Sequence, residues 1–357
     1  MTFDDVLTIK NGKNQRAVEN ANGRYPIYGS GGIMGYADDY ICNPDTVIIG
    51  RKGNINKPIF VEEPFWNVDT AFGLEADKSV LLPKYLFYFC LKYDFERHNK
   101  AVTIPSLTKA DLLKIEIELP SLKTQEDIVN QLDAISRTIT LREEQLSKCD
   151  DLIKARFVEL FGDKKYKKKQ LIELIKEGEG LSYGIVVPGD NVPDGIPMVR
   201  PSDYKNGSLN LDNVYRVASD IECKYKKTRL IGDEILVQVI GQPGQVMLSD
   251  ERCKGMNVTR NLAVVRIDKD KAERLFISHY LTTEEAQRFM FGSTNQSTLK
   301  QLPLNKLKKL PVPQVPLSEQ GEFADFIKQV DKSKVAVQKS LVETQLLFDS
   351  LMQKYFG

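Results

Sequence analysis

The chain contains one stretch of itself twice. Leu112–Gly162 (LLKIEIELPSLKTQEDIVNQLDAI…FVELFG) lines up with Leu307–Gly357 (LKKLPVPQVPLSEQGEFADFIKQV…LMQKYFG). From Gln125 and Gln320 onward the alignment needs no gap, and both copies end in Phe-Gly. Each copy enters through prolines and becomes one long helical pattern, and each follows a larger, β-rich segment. The order is globule, helix, globule, helix, which rules out a single layered core. Two half-units with matched spacers suit a molecule that reads something itself made of two parts.

The helical halves carry a heptad seam. In the first copy Ile128, Leu132, Ile135, Ile139, Leu146, Cys149, Ile153 and Leu160 recur at spacings of three and four, with Arg142 and Arg156 in the gaps. In the second the series is Phe323, Ile327, Val330, Lys334, Val337, Leu341, Thr344, Phe348, Leu351 and Tyr355. A seam sustained over more than four heptads is a coiled-coil signature. Two seams in one chain, each tied to its own globule, predict an intramolecular, antiparallel pair. From Gln125 to Leu160 such a helix rises roughly 54 Å.

The globules read as short strands broken by Gly, Asn and Pro clusters: YPIYGSGG, CNPD and RKGNINKP in the first, DEILVQVIGQPGQVML and NLAVVRI in the second. They echo each other. TIKNG (Thr8–Gly12) resembles LIKEG (Leu174–Gly178). Asp45-x-Val47-Ile48-Ile49 resembles Asp233-x-Ile235-Leu236-Val237. YLFYFCL (Tyr85–Leu91) resembles LFISHYL (Leu275–Leu281), an apolar helix expected to pack on a sheet. The fold class is α+β: two β-rich domains separated by an antiparallel two-helix coiled coil, with an internal pseudo-twofold repeat. The expected boundaries are 1–118, 119–162, 163–312 and 313–357.

The chemistry of an enzyme is missing. The sequence has no GxxxxGK[ST] phosphate loop, no GxGxxG after a strand, no HExxH and no GxSxG. The two histidines, His98 and His279, have no second ligand at metal spacing and read as packing or helix-surface residues. Cys42, Cys90, Cys149, Cys223 and Cys253 form no CxxC pair and are expected to be reduced. No run of about 18 apolar residues predicts a membrane span. The N-terminal MTFDDVLTIK carries acids where a secretory signal needs bases, so the expected compartment is the cytoplasm.

Several features together resemble the specificity subunit of a type I restriction–modification system. They are LPSLKTQEDI (Leu119–Ile128) and VPLSEQGEF (Val315–Phe323), each leading a long helix that ends in ELFG or KYFG. RYPIYGSGGIMGY (Arg24–Tyr36), DTVIIGRKGNI (Asp45–Ile55) and GSTNQSTLKQLPLNKLKKLPVP (Gly292–Pro313) add to them. The resemblance covers essentially the whole chain. It implies that the globules are target recognition domains and the helices are spacer regions. It implies sequence-specific binding of a bipartite double-stranded DNA target in a prokaryotic cell, in defence against foreign DNA. It also implies a scaffold for two methyltransferase subunits and, through them, restriction/translocase subunits. The partners would bring S-adenosylmethionine, ATP and magnesium; this chain is expected to bind no cofactor and no metal.

Base reading needs forked donors and acceptors on loops that enter the major groove. In the first globule the candidates are Lys13, Asn14, Gln15 and Arg16, the loop with Arg51, Lys52, Asn54, Asn56 and Lys57, and Tyr28 and Ser30. In the second they are Ser182, Tyr183, Arg200, Ser202, Gln242, Gln245, Asn257, Thr259 and Arg260. Net charge does not single out a face. Residues 1–111 hold 13 basic and 14 acidic side chains, and residues 163–306 hold 23 and 19. The first domain must therefore cluster its cations locally. The run KKYKKK (Lys164–Lys169) is either a solvated linker or a phosphate-contacting strap. Gly292–Thr298 is expected to be a junction presenting helix-capping hydroxyls. The rival from another class is a non-catalytic coiled-coil adaptor whose globules bind proteins; steep salt dependence of duplex binding separates the two.

Overall fold

A computed structural model describes residues 1–99, 105–162, 164–205, 208–292 and 301–357. Residues 293–298 of the expected capping junction lie outside them. The chain divides into two compact units: Met1–Ser147 with Val335–Gly357, and Lys148–Lys334. The division falls inside the two long helices, so each helix gives one end to each unit.

In the first unit the strands are β1 (Leu7–Asn11), β2 (Tyr25–Gly29), β3 (Gly32–Ala37), β4 (Thr46–Gly50), β5 (Ile59–Val61), β6 (Trp66–Asn67) and β7 (Ala71–Ala76). One sheet has the order β1-β7-β4-β5, antiparallel throughout. The other is β3-β2-β6, with β2 antiparallel to β3 and parallel to β6. The apolar run of β4 is buried on both faces. Val47 and Ile49 join Phe3, Leu74, Leu86 and Tyr88 under the helix Pro83–Lys92, while Ile48 points to Cys42 and Phe65. Alternation along a strand makes both contacts possible at once.

The second unit holds β8 (Lys168–Gln170), β9 (Ser182–Tyr183), β10 (Ile196–Val199), β11 (Tyr204–Lys205), β12 (Ser208–Leu209), β13 (Tyr215–Val217), β14 (Ile235–Gln238), β15 (Val246–Leu248), β16 (Asn257–Val258), β17 (Leu262–Val265) and β18 (Pro311–Pro313). Its main sheet, β15-β14-β17-β9, is the β1-β7-β4-β5 sheet read from the other edge. Its three-stranded sheet, β13-β10-β16, repeats the antiparallel and parallel pairing of β3-β2-β6. Hairpin β11-β12 and the pair β18-β8 are additional. The expected equivalence of the globules is therefore met in topology as well as in sequence.

The long helices, Leu122–Phe161 and Leu317–Phe356, are 40 residues each and coincide residue for residue in the repeat. Within the first unit their segments run antiparallel. The Tyr355 hydroxyl donates to Gln131 at 3.0 Å, and the Arg142 guanidinium donates to the Ser340 carbonyl at 2.7 Å. Within the second unit Lys334 meets Asp150 at 2.7 Å, and the rings of Phe157 and Phe323 lie 5.4 Å apart. Arg142 and Lys334, two of the polar residues in the seam, are thus satisfied locally. Burial is the largest single influence on Lys334 and opposes its charge, but the Asp150 hydrogen bond and the nearby Asp150 and Asp331 charges together outweigh it and hold its pKa above the ordinary lysine value.

One side chain ties each helix to its globule. Gln125 and Gln320 are almost wholly buried, at 0% and 3% exposure. Gln125 Oε1 accepts from Leu82 N at 2.9 Å, and its amide donates to the carbonyls of Val80 (2.9 Å) and Pro120 (3.0 Å). Gln320 Oε1 accepts from Glu273 N at 2.8 Å, and its amide donates to the Val315 carbonyl at 2.7 Å. Leu82 and Glu273 are the N-cap residues of the sheet-covering helices Pro83–Lys92 and Arg274–Thr282. An amide so placed satisfies backbone groups that a helix start leaves open. It also corrects the helix echo: counted from these caps, Tyr85 answers to Phe276, one residue away from the sequence alignment.

Candidate nucleic-acid interface

In both units the turn that follows the parallel strand of the small sheet gathers three loops. In the first unit that turn is Asn67–Ala71. Lys13 N donates to Asn67 O at 2.9 Å and Gly12 N to Ala71 O at 3.3 Å, so the 12–16 loop is pinned to it. Val68 N donates to Tyr28 O at 3.0 Å, and Arg51 N to Thr70 O at 2.8 Å. Gly12 is needed here for space: a Cβ would sit 1.7 Å from the Val68 carbonyl oxygen.

In the second unit the turn is Thr259–Asn261. Thr259 N donates to Val199 O at 3.1 Å, Arg260 N to Ile185 O at 2.9 Å, and Asn261 O accepts from Val239 N at 2.8 Å. Gly184 approaches as Gly12 does, with a Cβ 2.0 Å from the Val258 carbonyl oxygen. The three gathered loops leave β9, β10 and β14, the counterparts of β1, β2 and β4. Most of the candidate readers sit on these loops, on the strand ends that lead into them or on the turn: Lys13–Arg16, Tyr28, Ser30, Arg51 and Lys52 in one unit, and Ser182, Tyr183, Ser202, Gln242, Gln245, Thr259 and Arg260 in the other.

The Type I restriction modification DNA specificity domain family matches residues 1–149 and 164–344, one matched stretch for each of these turns. The chain belongs to that family. The EcoBI specificity subunit of Escherichia coli is 23% identical over all of this chain and 85% of its own length. A putative type I specificity subunit of Haemophilus influenzae, S.HindORF215P, is 22% identical over 91% of this chain and 85% of its own. Among solved structures, the S subunit of M. genitalium superimposes with a TM-score of 0.62 at 16% identity, covering 100% of this chain and 95% of that one. A chain from a structure on complex assembly and conformational transition of the type I R-M system gives 0.55 at 15% identity, covering 100% and 96%. Recognition of a DNA target within a restriction–modification complex is the part such a subunit plays; it is not the enzyme.

Within this specificity subunit the electrostatics of the two turns differ. Lys13, Arg16, Arg51, Lys52 and Lys57 are exposed, and among the described residues no ion pair engages them. Arg51 lies with its guanidinium carbon 5.8 Å from the centre of the Phe72 ring. Tyr28 packs edge-on against Phe65 at 5.4 Å, and burial raises the pKa of its hydroxyl. Asn14 Oδ1 caps Arg16 N at 2.9 Å and shapes the loop. Asn54 and Lys57 are exposed. Ser182 and Tyr183 belong to β9, and Gln242 and Gln245 flank the Pro243-Gly244 turn with both side chains exposed.

Three candidates are engaged by other residues of the fold. Asn257 is fully buried; its amide donates to Glu222 (3.0 Å) and the Tyr225 carbonyl (3.1 Å), and its Oδ1 accepts from Thr228 (2.8 Å). It cannot reach a base. Arg200 has its fork on Asp203, at 2.8 and 3.2 Å, and that hydrogen bonding raises its pKa. Asn56 bridges Asp94 (3.0 Å) and Phe95 N (2.8 Å) and braces its own loop.

The basic run is also partly engaged. Lys164 pairs with Glu319 at 2.8 Å and Lys168 pairs with Glu285, while Lys168–Gln170 form β8 against β18. The hydrogen bond to Glu319 lifts the pKa of Lys164. His279 is wedged between the rings of Phe157 and Phe323, and burial lowers its pKa to about 4. His98 lies 2.7 Å from the Tyr93 hydroxyl. Among the described residues no group of His, Cys, Asp and Glu is placed to hold a metal ion, and no helix is long and apolar enough to cross a membrane.

The sequence reading missed Asp69 and Thr70, which occupy the first turn where Arg260 and Asn261 occupy the second. It also missed Lys224, Lys226 and Lys227, on a short turn (Cys223–Thr228) against β9 and β16. A signal for the first pair was available: extending the Asp45/Asp233 echo to β7 and β17 sets the two turns beside each other.

Proposed function

We propose that each unit of this specificity subunit reads one half of a bipartite duplex target through the loops gathered at its turn. The observation that carries this reading is the repetition of one backbone arrangement, three loops on one turn, with different side chains in each copy. Phosphate contacts fix register and base contacts carry sequence. In the first unit unpaired cations on the 13–16 and 51–57 loops supply both. In the second, Gln242, Gln245 and Arg260 offer the forked amide and guanidinium groups that suit adenine and guanine.

The long helices carry two methyltransferase subunits, and restriction/translocase subunits attach through them. Exposed apolar side chains support this role for the helices: Leu141, Val342 and Leu346 in one unit, Leu152 and Val158 in the other, all more than half exposed. Large apolar side chains left in water on a helix mark a protein contact when they gather. S-adenosylmethionine, ATP and magnesium act in the partners, in the prokaryotic cytoplasm, and this chain binds none of them. The test is labelled methyl transfer by the subunit alone and with its methyltransferase. Transfer without the partner would refute the assignment.

A further inference from the structure

We propose that the lysine turn of the second unit, Lys224, Lys226 and Lys227, is a clamp for the phosphodiester backbone of duplex DNA beside the bases that unit reads. The inference rests on the DNA reading above and adds a site to it. The turn belongs to an insertion. Between β3 and β4 the first unit runs through residues 38–45, whereas between β13 and β14 the second runs through 218–234.

The insertion is braced by buried charge. Glu222, at 1% exposure, holds Arg229 at 2.9 Å and Asn257 at 3.0 Å. Glu234, at 0% exposure, accepts from Arg266 at 3.0 Å and from Ile231, Gly232 and Asp233 N at 2.7, 3.0 and 3.0 Å. Arg266 in turn donates to the Lys227 carbonyl at 3.0 Å and to that of Arg229. Burying ions costs stability unless each is paired and hydrogen-bonded, and here every one of them is tied to the backbone or neighbours of one six-residue turn. The result is a fixed turn whose three lysines face water. Among the described residues no ion pair engages them, although Arg200, Arg229, Arg252, Arg266, Arg274 and Lys269 nearby are all paired.

The location fits a backbone contact. The turn lies against β9 and β16, the strands that lead into Ile185 and Thr259 at the gathering turn. Lys226 and Lys227 also line an open depression of about 360 Å³ with Gly178, Arg229 and Glu179, whose carboxylate is paired with Arg266. Point cations on a rigid turn hold phosphate without reading sequence.

The experiment uses the full chain assembled with its methyltransferase. Dissociation constants for target and random duplexes are measured across a salt series for the wild type, K224Q/K226Q/K227Q and K224R/K226R/K227R. The glutamine variant should bind both duplexes about 10-fold or more weakly, and its plot of log K against log salt should be shallower by roughly 0.9 for each phosphate no longer neutralised. The ratio of target to random binding should stay the same, and the arginine variant should keep the wild-type slope. A glutamine variant with unchanged affinity and slope, while the wild type still selects its target, overturns the clamp and leaves the DNA reading intact. Release of the methyltransferase by the glutamine variant, with the salt slope unchanged, would make the turn a protein-binding surface and also overturn the clamp. A wild type without salt-dependent, target-selective binding would bring down the DNA reading itself.

Discussion

The two units share a frame and differ in what the frame holds. Both have the same strand order, a buried glutamine that joins the long helix to the cap of the covering helix, and a glycine pressed against the strand that precedes the gathering turn. Each of these strands also carries a fully buried asparagine, Asn67 at the end of β6 and Asn257 at the start of β16. Beyond the frame they part. The first unit leaves its cations unpaired at the turn. The second pairs Arg200, Arg229, Arg266 and Arg274, exposes two glutamines, and carries a braced insertion. What the frame requires is fixed by backbone contacts and buried amides, so the side chains at the loop tips are free to change; specificity is found on such loops.

The sharpest expected asymmetry lies in the two asparagines. Asn257 makes four hydrogen bonds with Glu222, Tyr225, Thr228 and Val258 N, whereas the Asn67 amide donates to Ala71 O and its Oδ1 has no partner among the described residues. Asn257→Ala should cost about 3 kcal/mol and Asn67→Ala about 1 kcal/mol, because buried groups left without partners carry the larger penalty. Denaturant unfolding of the two variants checks this, and equal losses would mean that the insertion is not braced through Asn257.

The glutamines should behave alike. Gln125→Leu and Gln320→Leu each strand a cap N–H and at least one carbonyl, for about 2 kcal/mol apiece. Gln125 should cost slightly more, having one carbonyl more. A loss in only one unit, read by hydrogen exchange of the Pro83–Lys92 and Arg274–Thr282 helices, would break the equivalence of the frames.

A smaller difference is pH-dependent. His279 has a pKa of about 4 in the fold against 6.5 unperturbed. The unfolded chain therefore binds the extra proton first. The stability contributed by neutral His279 is present above about pH 6.5 and is lost as pH falls toward 4, by on the order of 2 kcal/mol. Tyr88, at the matching helix position, does not titrate in that range. Acid should loosen the second unit before the first, and His279→Phe should remove the difference. Proteolysis at pH 5 and 7 reads the outcome, and a variant as acid-sensitive as the wild type would contradict it.

Much of this was legible in the sequence. The repeat and its seam pointed to both long helices, which run Leu122–Phe161 and Leu317–Phe356 inside the expected segments 119–162 and 313–357, since a seam of apolar side chains over four heptads allows little else. The Asp45 and Asp233 echo aligned β4 with β14 because both must be apolar on two faces. The candidate loops do converge, since Gly, Asn and Pro clusters mark strand ends and the topology brings those ends together. What failed was the state of individual polar groups. Asn257, Arg200 and Asn56 have the residue types of base readers, but Glu222, Asp203 and Asp94 engage them, and these partners are 35, 3 and 38 residues away. The pairing of Lys164 with Glu319 joins residues 155 apart and is equally invisible in one sequence. The lysine turn went unread because its meaning lies in a comparison of connection lengths that only the matched strands permit.

The central claim is that the two gathering turns read separate halves of the target. It is tested most directly by a binding selection over random duplex DNA, run with the partner methyltransferase. Wild type, Q242A/Q245A/R260A and K13A/R16A/R51A would be compared. Each variant should relax one half-site and leave the other sharp, at a cost of roughly 1–3 kcal/mol for each bidentate pairing with a base that is removed. The two sets of changes should add when combined, as for groups with no shared partner. Scrambling of both halves by either variant would contradict the account and require a single composite DNA surface in its place.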